Sequence, residues 1–326
     1  MHPSLKLSNL DRLPDELRVR AKAAAGGSAE ERAHFAMRFV PHLPPDVPLE
    51  SLPFLLPVFC AILDLSLLDT VSNQLDSPIM TGDAHLRTVG IFCTLRAILA
   101  LMEHHAIPSA ALGDLWTLIW PWMELLDRHH DTVRTLHFLP DVYMHTIFIP
   151  LIIGILHKHP QASQSMHATP RLCGVIGKGW VQMLRAANFT KPELGGIYHF
   201  LGIWFSETEC SPAAFDELVI GVGGTHRDLV ALIFELMSRF LPTPDAPLTA
   251  ETISCLGALF RVRWLYYWNL RGIESGISRY PSIVQHHHRA YICFMGVGLQ
   301  RPSGRRKCAD NGFPCPSGLL VLISIP

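Results

Sequence analysis

Helix-opening signals recur along this chain while strand signals are scarce, and this contrast constrains the fold more than any other feature. Thr169 and Ser211 each precede a proline, Pro170 and Pro212. Proline suits a first helical position because its missing N–H has no intrahelical partner there. Ser28-Ala29-Glu30-Glu31 and Thr190-Lys191-Pro192-Glu193 have the spacing of capping boxes. Thr225-His226-Arg227-Asp228 opens a helix that keeps Leu229, Leu232, Ile233, Leu236, Met237, Phe240 and Leu241 on one face until Pro242. Thr249 opens another, running towards Trp268. The starts at Thr169, Thr190, Ser211, Thr225 and Thr249 are 21, 21, 14 and 24 residues apart, and alternate starts are 42 and 38 apart. Helix pairs recurring at about 40 residues have the period of armadillo and HEAT arrays, in which each pair buries its apolar face against the next.

Upstream, helical segments fit 30–40, 50–68, 84–104, 109–129 and 133–157, with prolines 53, 57, 121, 140 and 150 expected to break or kink them. The sequence thus predicts an all-α fold of about ten or eleven helices in an irregular α-solenoid, with a compact orthogonal bundle as the competing architecture. Three regions follow. Residues 1–27 form an N-terminal extension with a short helix, 28–280 the helical array, and 281–326 a basic Gly/Pro/Ser-containing tail expected to be poorly ordered.

At 326 residues, 49% hydrophobic and 17% charged, with a mean hydropathy of +0.24, the chain raises the question of a membrane span. The longest internal charge-free stretch, Val142 to His157, carries His145 and is interrupted by Pro150, short of the roughly 20 apolar residues a spanning helix needs. The first residues show no sustained apolar run. The expectation is a chain without signal peptide or transmembrane helix, located in the cytoplasm or nucleus. Cysteines 60, 93, 173, 210 and 255 are widely spaced, and Cys60 stands among Val58, Phe59, Ala61 and Ile62, as a reduced core thiol does.

Candidate chemistry is sparse. Gly174-Val175-Ile176-Gly177-Lys178-Gly179 resembles a phosphate loop only superficially; it lacks the Walker spacing and lies in a helical stretch. Gly221-Val222-Gly223-Gly224 reads as a helix end before the Thr225 cap. The pairs His104-His105, His129-His130 and His157/His159 fall in last helical turns, where imidazoles meet unpaired carbonyls. His286-His287-His288 with Cys293, Cys308 and Cys315 lacks the close ligand pairs of a structural zinc site. No aspartate-rich diphosphate motif and no G-x-S-x-G elbow occurs. No catalytic residue, cofactor or metal ligand is assigned.

Two aromatic clusters stand out. Trp116 and Trp120 share a helix face, with Trp122 pointing elsewhere beyond Pro121; they read as core, with an interaction surface at Trp116 and Trp122 as the functional alternative. Trp264, Tyr266, Tyr267 and Trp268 interleave with Arg261, Arg263 and Arg271, which suits either a snorkelling helix or base stacking. Arg261, Arg263, Trp264 and Tyr267 are candidate contacts. Charge divides unevenly: residues 1–255 hold 18 Lys+Arg against 26 Asp+Glu, and residues 256–326 hold 9 against 2.

The strings Asp114-Leu115-Trp116-Thr117-Leu118-Ile119-Trp120-Pro121-Trp122-Met123-Glu124-Leu125-Leu126-Asp127 and Ala168-Thr169-Pro170-Arg171-Leu172-Cys173-Gly174-Val175-Ile176-Gly177-Lys178-Gly179-Trp180 resemble a group of mushroom-type (basidiomycete) fungal proteins with armadillo-like helical arrays. The resemblance spans about residues 30–275 and implies a helical-repeat fold. Some members of that group carry a C-terminal MYND-type zinc finger. Cys293, Cys308 and Cys315 do not supply its paired ligands, so no finger carries over. The expected function is a non-enzymatic scaffold for a protein partner. A nucleic-acid-associated protein using residues 261–307 and an all-α enzyme are the alternatives.

Overall fold

The computed structural model describes residues 1–40, 43–44, 47–77, 81–136, 144–158, 166, 168–185, 212–229, 231–232 and 235. Among these every regular element is helical and no strand occurs. Two 3-10 turns, Pro3–Leu5 and Leu7–Arg12, lead into α1 (Asp15–Gly26), followed by α2 (Ala29–Met37). The 3-10 segment Leu49–Leu55 runs into α3 (Leu56–Ile62), and Leu65–Leu67 runs into α4 (Leu68–Leu75). Then come α5 (Gly82–Glu103), a turn at Ser109–Ala111, α6 (Leu112–Arg128), α7 (His130–Leu136), α8 (His145–Lys158), α9 (Leu172–Arg185) and α10 (Pro212–Val222). An eleventh helix, α11, opens at His226.

Local chemistry accounts for most helix ends. The Ser28 amide donates to Glu31 Oε2 at 2.8 Å and the Glu31 amide donates to Ser28 Oγ at 3.3 Å, the reciprocal capping box. The Ser28 amide and the Ser28 hydroxyl, the latter at 3.1 Å, both donate to Glu31 Oε2 and hold its carboxyl below the ordinary range. Thr225 and Asp228 repeat the device at α11, with Thr225 N–H donating to Asp228 Oδ2 at 3.1 Å and Asp228 N–H to Thr225 Oγ1 at 3.2 Å. Pro212 occupies the first position of α10, as its spacing predicted. At the C-terminus of α5, His105 takes a left-handed conformation (φ 55°). There the Ala106 amide reaches Leu101 O at 2.9 Å and the His105 amide reaches Met102 O at 3.1 Å, a Schellman closure. Gly223 (φ 147°) and Gly224 (φ 89°) close α10 in the same region of backbone space, the Gly224 amide bonding Val219 O at 2.9 Å.

Several expected boundaries move. Thr169 does not cap a helix: α9 starts at Leu172, after Arg171 at φ 65°, and Thr169 Oγ1 instead accepts from the Trp116 indole at 3.2 Å. The prolines at 121 and 150 do not end their helices, because α6 and α8 run through them. Ten buried side chains along α6 supply packing that outweighs the roughly 3 kcal/mol an interior proline costs. The single helix expected at 133–157 is two, α7 and α8, and Pro140 lies outside the described residues. The starts at Thr190 and Thr249 and the tail 281–326 also lie outside them.

Helix α5 is the hub. It packs against α2, α3, α4, α7 and α8. Its partner α2 comes closest, because Gly90 faces Ala33: a β-carbon at 90 would stand 3.2 Å from the Ala33 Cα. Helix α1 docks on α2 and α3, and Leu5, Leu10, Leu13 and Leu17 carry the N-terminal residues into the same core. Among the described helices α8 packs on α5, α6 and α9, and α9 packs on α10. Two segments, Leu49–Leu75 and Gly82–Glu103, are long and apolar enough by composition to cross a membrane. In this fold 56% and 61% of their most apolar windows are buried among other helices. Cys60, Cys93 and Cys173 are buried and outside any disulfide, and burial pushes the Cys60 thiol up to about 12 and the Cys93 thiol to about 11.

Candidate functional site

Helix α6 carries Trp116, Trp120, Met123 and Asp127 at i, i+4, i+7 and i+11 on an inward stripe. The first three are apolar; the fourth is a carboxylate whose side chain is only 1% exposed. Helix α8 begins with His145, which continues through Phe148, Ile149 and Ile152 as that helix's inward stripe and is completely buried. Lys178 and Gln182 stand one turn apart on α9, and His130 opens α7. These four helices bring the polar groups together.

His145 Nε2 lies 3.2 Å from Asp127 Oδ1, and its Nδ1 lies 2.8 Å from Gln182 Oε1. Lys178 Nζ donates to the second Asp127 oxygen at 2.7 Å. Gln182 Nε2 stands 3.0 Å from His130 Nε2, and His130 Nδ1 stands 3.3 Å from Asp131 Oδ1 at the surface. Burial alone drives the Asp127 carboxyl up, but hydrogen bonds from His145 and Lys178 and their charges outweigh it, leaving Asp127 below its ordinary range. Asp127 is therefore an anion inside the core.

The glycine string once comparable to a phosphate loop explains how the cluster closes. It is helical, as predicted, and its glycines serve helix–helix approach. A β-carbon at Gly179 would lie 3.0 Å from Ile149 Cδ1 and 3.1 Å from His145 Cδ2, so glycine lets α9 approach the ring without pressing on either side chain. On the opposite side, a β-carbon at Gly177 would lie 2.8 Å from the Leu218 carbonyl oxygen of α10. Lys178, between them, crosses to Asp127.

The sequence-derived candidates fall elsewhere. Trp116 (3% exposed) and Trp122 (0%) are core residues. Trp116 stacks on Trp120 with ring centroids 5.2 Å apart, and the Trp122 indole donates to Leu63 O at 2.9 Å, tying α6 to the end of α3. Arg261, Arg263, Trp264 and Tyr267 lie outside the described residues, as do the histidines and cysteines from His286 onward. Of the histidines assigned to last turns, His104 and His105 do end α5 and His129 caps α6, whereas His130 opens α7 and joins the cluster. Among the described residues no group of three or more His, Cys, Asp or Glu side chains is arranged to hold a metal.

A surface network lies nearby. Glu124 accepts from Arg128 at 3.2 Å and from Arg171 Nη1 at 2.9 Å, while the Arg171 amide donates to Glu217 at 2.9 Å, joining α6, α9 and α10. Comparison of the chain with protein-family models, with curated proteins and with solved structures returned no match.

Proposed function

We propose that the chain is a non-enzymatic helical scaffold that binds a protein partner, its helices stacking as an irregular armadillo/HEAT-like solenoid related to the basidiomycete group it resembles. The observation that carries this reading is the packing of α8 on α9 and of α9 on α10, with close backbone approach at Gly174, Gly177 and Gly221. Neighbour-on-neighbour packing is how a solenoid propagates and how it exposes a continuous face. The α5-centred assembly of α1 to α4 then acts as the irregular start of the array. Ile220 on α10 is 69% exposed, an apolar side chain available on that helix for a partner.

The test is capture of the tagged chain from its own cells with nuclease treatment, followed by reconstitution from purified components. The scaffold reading expects one protein to co-purify in stoichiometric amount and to rebind the purified chain without nucleic acid. It falls if the captured material leaves with nuclease or does not rebind.

The charge division supports a second reading, association with nucleic acid through residues 261–307, where Arg261, Arg263, Trp264 and Tyr267 combine basic and stacking groups. That reading expects binding that weakens steeply with salt and is lost on deleting residues 286–326.

A further inference from the structure

The Asp127–His145–Gln182–His130–Asp131 chain has four contacts in series, at 3.2, 2.8, 3.0 and 3.3 Å. Each contact needs one hydrogen. Both ends are carboxylates, which when ionised only accept; Asp127 is held ionised, and its other oxygen is taken by Lys178. A neutral imidazole supplies one hydrogen, and the Gln182 amide supplies one on its nitrogen side only. Two neutral rings and one amide therefore supply three hydrogens for four contacts. With the amide oxygen towards His145, the buried ring must carry two hydrogens. Turning the amide over moves that demand to His130 without removing it.

We propose that these five residues, drawn from α6, α7, α8 and α9, store one exchangeable proton shared between His145 and His130. When the proton is bound, all four contacts are made. When it leaves, the contact that fails is the outermost, because the amide turns to satisfy both buried contacts with neutral rings. Asp131, fully exposed, is then released from His130, whose side chain is 23% exposed. The chain thus connects a buried anion to solvent through a side-chain relay, and Gln182 is its positioning residue.

The charged groups around the relay come from each helix that meets it. Helix α6 brings Asp127, α7 brings His130 and Asp131, and α9 brings Lys178, whose side chain is 41% exposed. Helix α5 also packs on α7 and α8, yet the one carboxylate within ion-pair distance of His145 among the described residues is Asp127. Lys178 opposes the extra proton, and the two carboxylates favour it.

The experiment is a pH titration of histidine ring nitrogens by long-range ¹⁵N–¹H spectra on the full chain, with rings assigned by single-histidine substitution. In the wild-type chain His130 and His145 should change together in one step that totals one proton. Asp131→Ala, a substitution at a fully exposed site, should shift both rings to lower pH, weakening proton uptake about two- to fivefold, the size of an exposed ion pair. Gln182→Leu should uncouple the rings, leaving His130 to titrate alone. The proposal is overturned if the wild-type rings titrate independently, or if Asp131→Ala moves His130 and leaves His145 unchanged. Asp131→Ala keeps the helices intact, so the decision stands even where Gln182→Leu fails to fold.

Discussion

Replacing Trp122 with phenylalanine separates a core role from a binding role. The indole is fully buried and spends its N–H on the Leu63 carbonyl at 2.9 Å, at the end of α3. Phenylalanine keeps a ring but leaves that carbonyl unpaired, a loss of about 1–3 kcal/mol for a buried polar group. It also leaves a void of roughly 30–40 Å³, which at about 24 cal/mol per Å³ adds about 1 kcal/mol. The expected total is about 2–4 kcal/mol. Urea unfolding followed by far-ultraviolet circular dichroism reads this as a lower midpoint at unchanged slope, so that the whole change is in stability. Trp116→Phe supplies the comparison, because its indole donates to the Thr169 hydroxyl, near the start of α9, at 3.2 Å. A loss below about 0.5 kcal/mol for Trp122→Phe, the size of an ordinary surface substitution, would refute the assignment of this side chain to the core.

Other consequences follow from the same packing. Asp127→Asn removes the anion that answers His145 and Lys178 and should cost about 3 kcal/mol, the low end for breaking a buried pair, because Lys178 is 41% exposed; thermal or urea unfolding measures it. The same residue sets an acid dependence. Its folded pKa lies below the unfolded value, so its stabilisation is complete above about pH 4–5 and disappears as pH falls through the depressed folded value, and Asp127→Asn should flatten that limb of the stability–pH curve. Gly177→Ala forces a β-carbon to 2.8 Å from the Leu218 carbonyl and should destabilise by about 1–3 kcal/mol, read as a lower melting temperature, while a substitution at Gly82, where the space is open, should not. Cys60, Cys93 and Cys173 should resist a thiol reagent in the native chain and react on unfolding, since Cys60 and Cys93 are pushed to about 12 and 11 and all three are buried; rapid native labelling of the three would contradict their placement.

What the sequence made legible was local and periodic. The capping box at Ser28, the helix start at Pro212, the cap at Thr225 and the glycine close before it each depend on three or four neighbouring residues, and each occurs as read. The boundaries that moved depend on distant partners. Pro121 reads as a break until the burial of α6 is known. Thr169 reads as a cap until the Trp116 indole, 53 residues away, claims its hydroxyl. The cluster around Asp127 and His145 belongs to the same class, because no spacing in sequence pairs a carboxylate with an imidazole on another helix. A trace of it was nonetheless present. Asp127 continues the stripe of Trp116, Trp120 and Met123, and His145 continues the stripe of Phe148, Ile149 and Ile152. A polar residue in an apolar stripe faces the core, and a buried charge must find a partner there. Two such interruptions on separate helices therefore predict that they meet, and Lys178 and Gln182, spaced i, i+4 on a third helix, supply the remaining donors that a buried carboxylate and imidazole require.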